Sequence, residues 1–413
     1  MNQAAFQELL DWLIDGARSA PTPQRMMAEA CERTVAAGIP LWRCAVFIRT
    51  LHPDIYGRAF FWRPHTDVVI QDANFDPLVT EEFQASPLAV LQQTGEEVRY
   101  RLDDPETRRF PFFDEMRAEG VTDYIALPLR FIDGTSHASS WSTREPGGFS
   151  DEHLAALRTL VRPLARLVEI IGLRRIAITL LDTYVGNRAG ERILGGQIHR
   201  GHAEVMQAAI WLSDLRSFTA LSDRMPPEIV VDVLNRFFDC QVPAIRKHGG
   251  EILKFMGDGL LAVFPIAEDH GNLREVCGRV LDAARDARAD VDTMEYPHLD
   301  TIERFRFGVA LHIGGILFGN IGGSNRLDFT CIGPAVNLAA RMEKIAGQLG
   351  RTVVASEAFA GICRSEWADL GEFPIAGMAI PQRVYGLSDE TPTIEAREGS
   401  SEAADRLIPP VRS

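Results

Sequence analysis

Residues 251–264 have the sequence EILKFMGDGLLAVF, and this stretch decides the fold of the C-terminal half. Two apolar runs around a glycine-rich centre predict two β-strands joined by a tight turn. Glycines on both sides of Asp258 let another group approach its carboxylate closely. The stretch therefore predicts a β-hairpin that carries one acidic side chain at its turn.

A second acidic residue ends a strand further upstream. Residues 208–212 (AAIWL) predict a buried strand that runs into Asp214, and residues 226–248 predict an amphipathic helix that stops at Gly249 and Gly250. The apolar face of this helix carries Ile229, Val233 and Phe237. A strand, a helix and a hairpin in this order can bring the carboxylates of Asp214 and Asp258 to one end of a sheet. Two such carboxylates would suit Mg²⁺, although an aspartate at a strand end often only caps the next turn.

A third stretch, residues 327–343 (LDFTCIGPAVNLAARME), predicts a strand, a glycine turn and a helix with Pro334 at its first position. Asn337 and Arg341 are four residues apart and therefore share one helix face. Both side chains could simply be solvated. Because their immediate neighbours are apolar, a face with just these two long polar groups indicates a site.

Together the three stretches resemble the catalytic domain of class III nucleotidyl cyclases, over roughly residues 207–388. Residues 183–202 resemble the connector that commonly precedes this domain in bacterial members. The resemblance implies an α+β fold with a ferredoxin-like βαββαβ core. It also implies a homodimer with head-to-tail active sites shared between two chains. Within this family we expect an adenylate cyclase, a phosphorus-oxygen lyase that converts ATP to 3′,5′-cyclic AMP and pyrophosphate, because of Lys254.

The resemblance implies a metal site and a catalytic pair. By motif position, Asp214 and Asp258 match the two metal-binding aspartates, and the Leu215 carbonyl is a further ligand for two Mg²⁺ or Mn²⁺ ions per active site. Asn337 and Arg341 match the residues that position the ribose and stabilise charge at the α-phosphate, and they would come from the opposite chain. A guanidinium suits this task because its donors are planar and always charged.

Lys254 and Thr330 match the pair that recognises the base. An ammonium can donate to N1 of adenine, whereas guanine carries a proton on N1 and favours an acceptor such as Glu. Only three of the 43 basic residues are lysines, so a lysine at 254 indicates a specific need. We expect ATP as substrate; a guanylate cyclase and a nucleotide-binding signalling module without turnover are the alternatives.

Two positions depart from the family pattern. Pro334 stands where many members have Asp in the turn before the Asn/Arg helix. Ala376 stands where relatives often have a lysine that contacts the triphosphate. Arg383 is a candidate to replace that lysine.

The N-terminal residues predict a separate α/β domain. Two helices are expected within residues 5–38, strands at 44–50 and 59–62, and a hairpin of strands 125–131 and 137–143 around Asp133 and Gly134. This order of elements resembles a GAF-type sensor domain, which would bind an unidentified small molecule. An unrelated α/β dimerisation domain is the alternative.

We expect four segments: a sensory or dimerisation domain at 1–153, a helical linker at 154–202, the catalytic domain at 203–390 and a disordered tail at 391–413. The linker begins with an apolar stripe at spacings of three and four residues. Its members are Leu154, Leu157, Val161, Leu164, Val168 and Ile171. The stripe either packs on its own domain or pairs two subunits as parallel helices, a joint whose rotation would switch activity, although Pro163 weakens a continuous coiled coil.

The composition narrows the function. The formal net charge is −14, which argues against binding to nucleic acid or an anionic membrane. No apolar run approaches the ~20 residues of a membrane span, and acidic residues near the N-terminus exclude a secretory signal peptide. Six scattered cysteines suggest neither a zinc site nor a disulfide framework. We expect a soluble cytoplasmic protein.

Overall fold

The computed structural model describes residues 1–73, 80–267, 271–294, 306–323, 325–363 and 365–392. Contacts divide the chain into two compact units, Met1–Leu180 and Leu181–Ser413. Most of the predicted tail, from residue 393 onward, lies outside the described residues. The four segment boundaries expected from the sequence stay predictions.

The N-terminal unit is built on an antiparallel sheet of six strands in the order β3-β2-β1-β6-β5-β4. Its elements are α1 (Gln3–Ile14), α2 (Pro23–Ala36), β1 (Arg43–Arg49), β2 (Gly57–Trp62), β3 (Val69–Ala73), α3 (Glu81–Gln84), α4 (Pro87–Thr94), β4 (Val98–Arg101), α5 (Phe112–Ala118), β5 (Asp123–Arg130), β6 (Ser136–Thr143) and the first part of α6 (Asp151–Val185). The two predicted helices, the two predicted strands and the hairpin are confirmed. Gly134 has φ +85°, as a tight turn between β5 and β6 requires.

Helix α6 begins where the sequence indicated. The Ser150 hydroxyl accepts a hydrogen bond from the His153 amide at 3.2 Å, which caps the first turn. The predicted apolar stripe from Leu154 to Val168 is buried in one core with α1, α2 and one face of the sheet. This part of the stripe therefore packs on its own unit, the first of the two alternatives. The helix continues through Pro163.

The C-terminal unit contains an eight-stranded sheet in the order β13-β14-β12-β10-β7-β9-β8, with β11 paired to β10. Its elements after α6 are α7 (Asn187–Leu194), β7 (Ala203–Leu215), α8 (Phe218–Ser222), α9 (Pro227–Lys247), β8 (Glu251–Met256), β9 (Gly259–Pro265), α10 (Leu273–Thr293), β10 (Phe307–Gly322), β11 (Leu327–Ile332), α11 (Pro334–Gln348), β12 (Val353–Ser356), α12 (Glu357–Ala360), β13 (Trp367–Phe373) and β14 (Gln382–Leu387).

The central part of this unit has the predicted βαββαβ order: β7, α9, β8, β9, α10 and β10. The four strands lie side by side as β10-β7-β9-β8, and every neighbouring pair is antiparallel. This is the ferredoxin-like arrangement. The predicted helix at 226–248 and the hairpin at 251–264 are thereby confirmed.

The sheet of the C-terminal unit is covered on both faces. Helices α9 and α10 bury one face around Trp211 and Phe237. Helix α11 covers the other face, where Ala335 and Ala339 pack against Ile210. Since β7 is buried on both faces over residues 208–213, its sequence is a continuous apolar run from Ala208 to Leu212, two residues before Asp214.

Two properties of the whole chain follow from the described residues. Among them, no helix is long and apolar enough to span a membrane. All six cysteines are buried and carry free thiols.

Candidate active site

The two predicted metal-binding aspartates lie together at one end of the C-terminal sheet. Asp214 is the next-to-last residue of β7, and it pairs across the sheet with Gly259, the first residue of β9. Asp258 occupies the turn just before Gly259, and its carboxyl group contacts that of Asp214. Strand pairing thus places both aspartates at one end of the sheet, where the sequence predicted them, and their role as metal ligands stays a prediction.

The glycines around Asp258 have separate tasks. Gly257 has φ +67°, a conformation that turns the chain between β8 and β9. A β-carbon at Gly259 would lie 2.9 Å from the Ser213 carbonyl oxygen and 3.2 Å from Asp214 Oδ1. The absence of a side chain at 259 thus lets β7 and β9 approach at the point where the carboxylates meet.

The electrostatic environment of Asp214 is unfavourable for a bare carboxylate. Burial, followed by the negative charges of Asp258 and Glu343, raises the pKa of Asp214 to about 7. Arg216 opposes this rise. A bound divalent cation would relieve the repulsion between the two carboxylates.

This donor set fits a hard cation. Two carboxylates, with the backbone of Leu215 beside them at the end of β7, are the kind of oxygen ligands that Mg²⁺ takes when substrate phosphates complete its shell. No group of three or more His, Cys, Asp or Glu side chains arranged for a metal occurs in the described parts of the chain. Two carboxylates leave most of the coordination shell of a hard cation open, so substrate oxygens would have to contribute if a metal binds here.

Behind the aspartates lies a buried ion pair between Arg216 and Glu343. Arg216 Nη1 is 2.6 Å from Glu343 Oε1, and Nη2 donates to the Glu343 carbonyl oxygen at 3.4 Å. The Glu343 side chain is 5% exposed. Burial raises the pKa of Glu343, and Arg216 lowers it. The pair joins the segment after Asp214 to helix α11.

Two glycines make room for the Arg216 guanidinium. A β-carbon at Gly308 would lie 1.6 Å from Arg216 Nη2, and one at Gly347 would lie 2.6 Å from Nη1. The guanidinium is therefore enclosed by the backbones of β10 and α11 on either side of Glu343.

Lys254 and Thr330, the predicted base-recognising pair, lie on the neighbouring elements β8 and β11. Lys254 Nζ is 2.9 Å from Asp328 Oδ2, and both side chains are about half exposed. Asp328 and Thr330 are two residues apart on β11, so both point away from the core that holds Phe329 and Cys331. The structure thus brings Lys254 to the face of β11 that carries Thr330.

Asn337 and Arg341 lie on α11, one turn apart on one face, as predicted. Asn337 is exposed and Arg341 is half-buried. The Arg341 guanidinium lies beside Gly377, where a β-carbon would be 3.5 Å from its Nη2. Within the described ranges, no hydrogen bond or ion pair joins Asn337 or Arg341 to the aspartate pair.

Pro334 and Ala376, the two departures from the family pattern, lie at or near α11. Pro334 is the first residue of α11, where a proline needs no helical hydrogen-bond partner. Ala376 precedes Gly377 and so lies next to Arg341 in space. Arg383, the candidate replacement for the missing lysine, forms ion pairs with Glu372 at 3.1 Å and Asp369 at 3.7 Å. Its charge is already partnered within β13 and β14.

Sequence reasoning did not find Arg216, Glu343 or Asp328. Arg216 stands two residues after Asp214, and Glu343 stands two residues after Arg341. Each lies within a stretch singled out for its chemistry, but their partners are distant in sequence. A charged residue inside an otherwise apolar helix face was the available indication for Glu343.

Comparison with known proteins bears on this site directly. Residues 202–385 match the family model described as the adenylate and guanylate cyclase catalytic domain. An adenylate cyclase of Anabaena cylindrica is 28% identical over 213 residues, which cover 50% of this chain and 41% of that protein. Adenylate cyclase 1 of Rhizobium meliloti (strain 1021) is 28% identical over 195 residues, which cover 46% of this chain and 29% of that protein.

Among solved structures, a bacterial light-regulated adenylyl cyclase is 26% identical, with a TM-score of 0.44, and the match covers 55% of this chain and 64% of that one. The match spans less than half the length of each of these two curated relatives. The C-terminal unit is an α+β domain with a ferredoxin-like core. Residues 202–385 are thus similar to adenylate and guanylate cyclase catalytic domains, by the family model and by these relatives.

Proposed function

We propose that this chain is an adenylate cyclase that converts ATP to 3′,5′-cyclic AMP and pyrophosphate. The observation that carries the proposal is the contact between the Asp214 and Asp258 carboxyl groups at the sheet end of a cyclase catalytic domain. Such a pair is costly in a folded protein unless a cation or substrate compensates it.

The proposal assigns a task to each site residue. Asp214, Asp258 and the Leu215 carbonyl hold two Mg²⁺ or Mn²⁺ ions, which when bound lower the pKa of the ribose 3′-hydroxyl and neutralise phosphate charge. Asn337 orients the ribose for in-line attack on the α-phosphorus. Arg341 donates to an equatorial oxygen of the α-phosphate, where charge develops.

Lys254 supports adenine as the base. Its ammonium can donate to adenine N1, and the Thr330 hydroxyl can accept from the adenine amino group. In the absence of nucleotide, the Lys254 ammonium is paired with Asp328, an exposed ion pair worth at most about 1 kcal/mol. ATP binding would therefore exchange a weak contact for a hydrogen bond to the base.

The active unit in this proposal is a homodimer. Asn337 and Arg341 make no described contact with the aspartate pair of their own chain, so each site would combine the aspartates of one chain with α11 of its partner. The N-terminal unit would be the sensory or dimerisation domain, with a GAF-like fold and an unidentified small-molecule ligand. Free cysteines favour a reducing compartment, so a cytoplasmic location belongs to the proposal.

Turnover of ATP and GTP, each with Mg²⁺ and with Mn²⁺, tests this function. We expect cyclic AMP as the main product, and no product from Asp214→Ala. Lys254→Met should lose ATP turnover while its free energy of unfolding changes by no more than about 1 kcal/mol, because the Lys254 ion pair is exposed. Preferential turnover of GTP would make the chain a guanylate cyclase, and no turnover of either nucleotide would leave a binding module.

A further inference from the structure

The N-terminal sheet carries an arginine that has no partner of opposite charge. Arg43 is the first residue of β1 and is partly buried. Its guanidinium carbon lies 5.3 Å from the centre of the Phe61 ring, and within the described residues its side chain forms neither a hydrogen bond nor an ion pair. A partly buried cation without a counter-ion is costly in a folded protein. Arg43 is therefore a candidate for binding a ligand of negative charge.

Strand register places Arg43 in a row of polar side chains across the sheet. Arg43 pairs with Ser142 on β6, and Ser142 pairs with Tyr124 on β5. On the other side of Arg43, Arg63 directly follows the last residue of β2 and acts on Arg43 electrostatically. Residues paired across neighbouring strands share one face of a sheet. The row therefore brings two guanidinium groups and a phenol to the same face.

Two carboxylates lie near Arg43, but both are paired with Arg63. Burial, followed by the positive charge of Arg63, lowers the pKa of Arg43. Glu115 and Glu119 oppose this shift, but neither forms an ion pair with Arg43. Arg63 Nη2 is 2.5 Å from Glu119 Oε1 and 4.0 Å from Glu115 Oε1. The hydrogen-bond donors of Arg43 thus stay unused.

A third guanidinium makes this cluster positive. Arg144 follows Ser142 by two residues, and its guanidinium carbon lies 3.2 Å from the centre of the Trp42 ring. Arg144 is exposed, and in the part of the chain that the structure describes it forms no ion pair. Three guanidinium groups therefore face two carboxylates, an excess of one positive charge. A ligand with one negative charge would balance it.

A second unused hydrogen-bond donor lies beside Arg43. The Tyr124 hydroxyl is buried, and among the described residues it has no hydrogen-bond partner, although Ser140 lies next to it. Arg43 acts on this hydroxyl electrostatically, so the two groups are neighbours. A buried hydroxyl without a partner costs free energy that an acceptor oxygen would recover.

We propose that Arg43 and Tyr124 bind the carboxylate of a small organic acid on the N-terminal unit. A guanidinium binds a carboxylate through two parallel hydrogen bonds, and the Tyr124 hydroxyl can donate a third. The partly exposed rings of Phe61 and Phe47, 5.8 Å apart, offer an apolar surface to the rest of the acid. The inference rests on the proposed function only in that it gives a chemical class to the small molecule left unidentified there.

Benzoate is the probe for this site, and benzamide is its neutral analogue of the same shape. The full-length chain is titrated with each compound by calorimetry, and its melting temperature is measured with and without benzoate. The parent chain is compared with Arg43→Met and Tyr124→Phe. Arg25→Met is the matched control, because it removes an exposed arginine from α2 of the same unit.

We expect the parent chain to bind benzoate and not benzamide. Arg43→Met should weaken benzoate binding at least about tenfold, because it removes both charged hydrogen bonds. Tyr124→Phe should weaken it by a smaller factor, and Arg25→Met should bind as the parent does. Without benzoate, Arg43→Met should melt no lower than the parent, since the substitution removes a cation that has no partner.

Equal benzoate affinity in Arg43→Met and the parent, or no benzoate binding to the parent, would overturn the site. A lower melting temperature of Arg43→Met without benzoate would give Arg43 a structural task instead. Tighter binding of inorganic phosphate than of benzoate would overturn the assignment to a carboxylate. None of these measurements uses nucleotide turnover, so a failed ligand site is distinguished from a failed cyclase.

Discussion

At the scale of single residues, the Arg216–Glu343 ion pair is a feature of the candidate site in addition to its expected ligands. Glu343 is buried on α11 opposite the face of Asn337 and Arg341, and Arg216 stands two residues after Asp214. In a head-to-tail dimer these two segments belong to different active sites. Under the proposed function, one ion pair would therefore support the aspartate half of one site and the α11 half of the other.

Substitution of Gly308 tests the enclosure of this pair. In Gly308→Ala the new β-carbon would lie 1.6 Å from Arg216 Nη2 and 2.8 Å from Glu343 Oε1, so the guanidinium must move and leave Glu343 unpaired. Breaking a fully buried pair costs roughly 3–5 kcal/mol; since Arg216 is 23% exposed, we expect a loss of about 2 kcal/mol in the free energy of unfolding, together with lower turnover.

Gly278→Ala is the matched control for this change. Gly278 lies inside α10 with nothing within 4 Å of a β-carbon, so the added methyl should stabilise the helix by roughly 0.5–1 kcal/mol. Urea denaturation of both variants gives the comparison. Similar stability in the two would contradict the role given to the Gly308 position.

We expect His312 to make the stability of the C-terminal unit depend on pH. Burial lowers the pKa of His312 to about 4, and its Nδ1 lies 2.8 Å from the Ser356 hydroxyl. The unfolded chain takes up a proton near pH 6.5 and the folded chain only near pH 4, so stability is lost as pH falls through this window and is unaffected above it. Between pH 7 and pH 5 this group should remove about 2 kcal/mol.

The measurement is the difference between the parent chain and His312→Gln in urea denaturation at pH 7 and pH 5. A glutamine keeps a polar group near Ser356 but does not titrate in this range. The loss of stability on acidification should be smaller in the variant by about 2 kcal/mol. Parallel losses in both chains would assign the pH dependence to other groups.

At the scale of elements, the hairpin of β8 and β9 decides where Asp258 stands. Gly257 has φ +67°, and a β-carbon there would meet nothing within 4 Å. A side chain at position 257 would therefore lower the free energy of unfolding only through the backbone conformation that it must adopt. Asn adopts this conformation more readily than a β-branched residue.

We therefore expect Gly257→Val to destabilise the protein by roughly 1–2 kcal/mol, and Gly257→Asn to cost less. Turnover should fall in the same order, since a changed turn moves Asp258 away from Asp214. Thermal denaturation and ATP turnover of the two variants provide the test. Equal effects would indicate that the turn tolerates another conformation.

The periodicity of apolar residues was enough to predict several helices and strands. The spacing of apolar residues predicted α9, the β8–β9 hairpin, the β5–β6 hairpin and the strand in β7, because each pattern is local and its period is fixed by backbone geometry. For α6 the sequence offered two partners for one stripe. The apolar residues from Leu154 to Val168 are buried in their own unit, which decides between the two partners for this part of α6. Further apolar residues of α6, from Ile170 onward, are exposed.

At the scale of the whole molecule, shared active sites predict complementation between inactive chains. Asp214→Ala and Arg341→Ala should each be inactive, while a mixed dimer contains one site with both groups intact. With random exchange of subunits, half of the dimers are mixed and each has one working site, so roughly a quarter of the parent activity should return.

A mixture of Asp214→Ala with Asp258→Ala is the control. Both aspartates lie in the same half of a site, so no combination of these chains restores one, and activity should stay absent. Recovery in the first mixture alone supports shared sites. No recovery in either, with subunit exchange verified by mass, would contradict the dimer model.

The sequence by itself determined the candidate site residues and the order of the elements that carry them. Short sequence motifs contain the candidate residues Asp214, Asp258, Lys254, Asn337 and Arg341. Residue type and spacing within such a motif are local properties, so they can be recognised without knowledge of the fold. Only the tertiary structure decided which charges are paired. Arg216 and Glu343 are 127 residues apart, and Lys254 and Asp328 are 74 apart. Their pairing depends on strand register, on burial and on the space left by Gly308 and Gly347, which no local pattern contains.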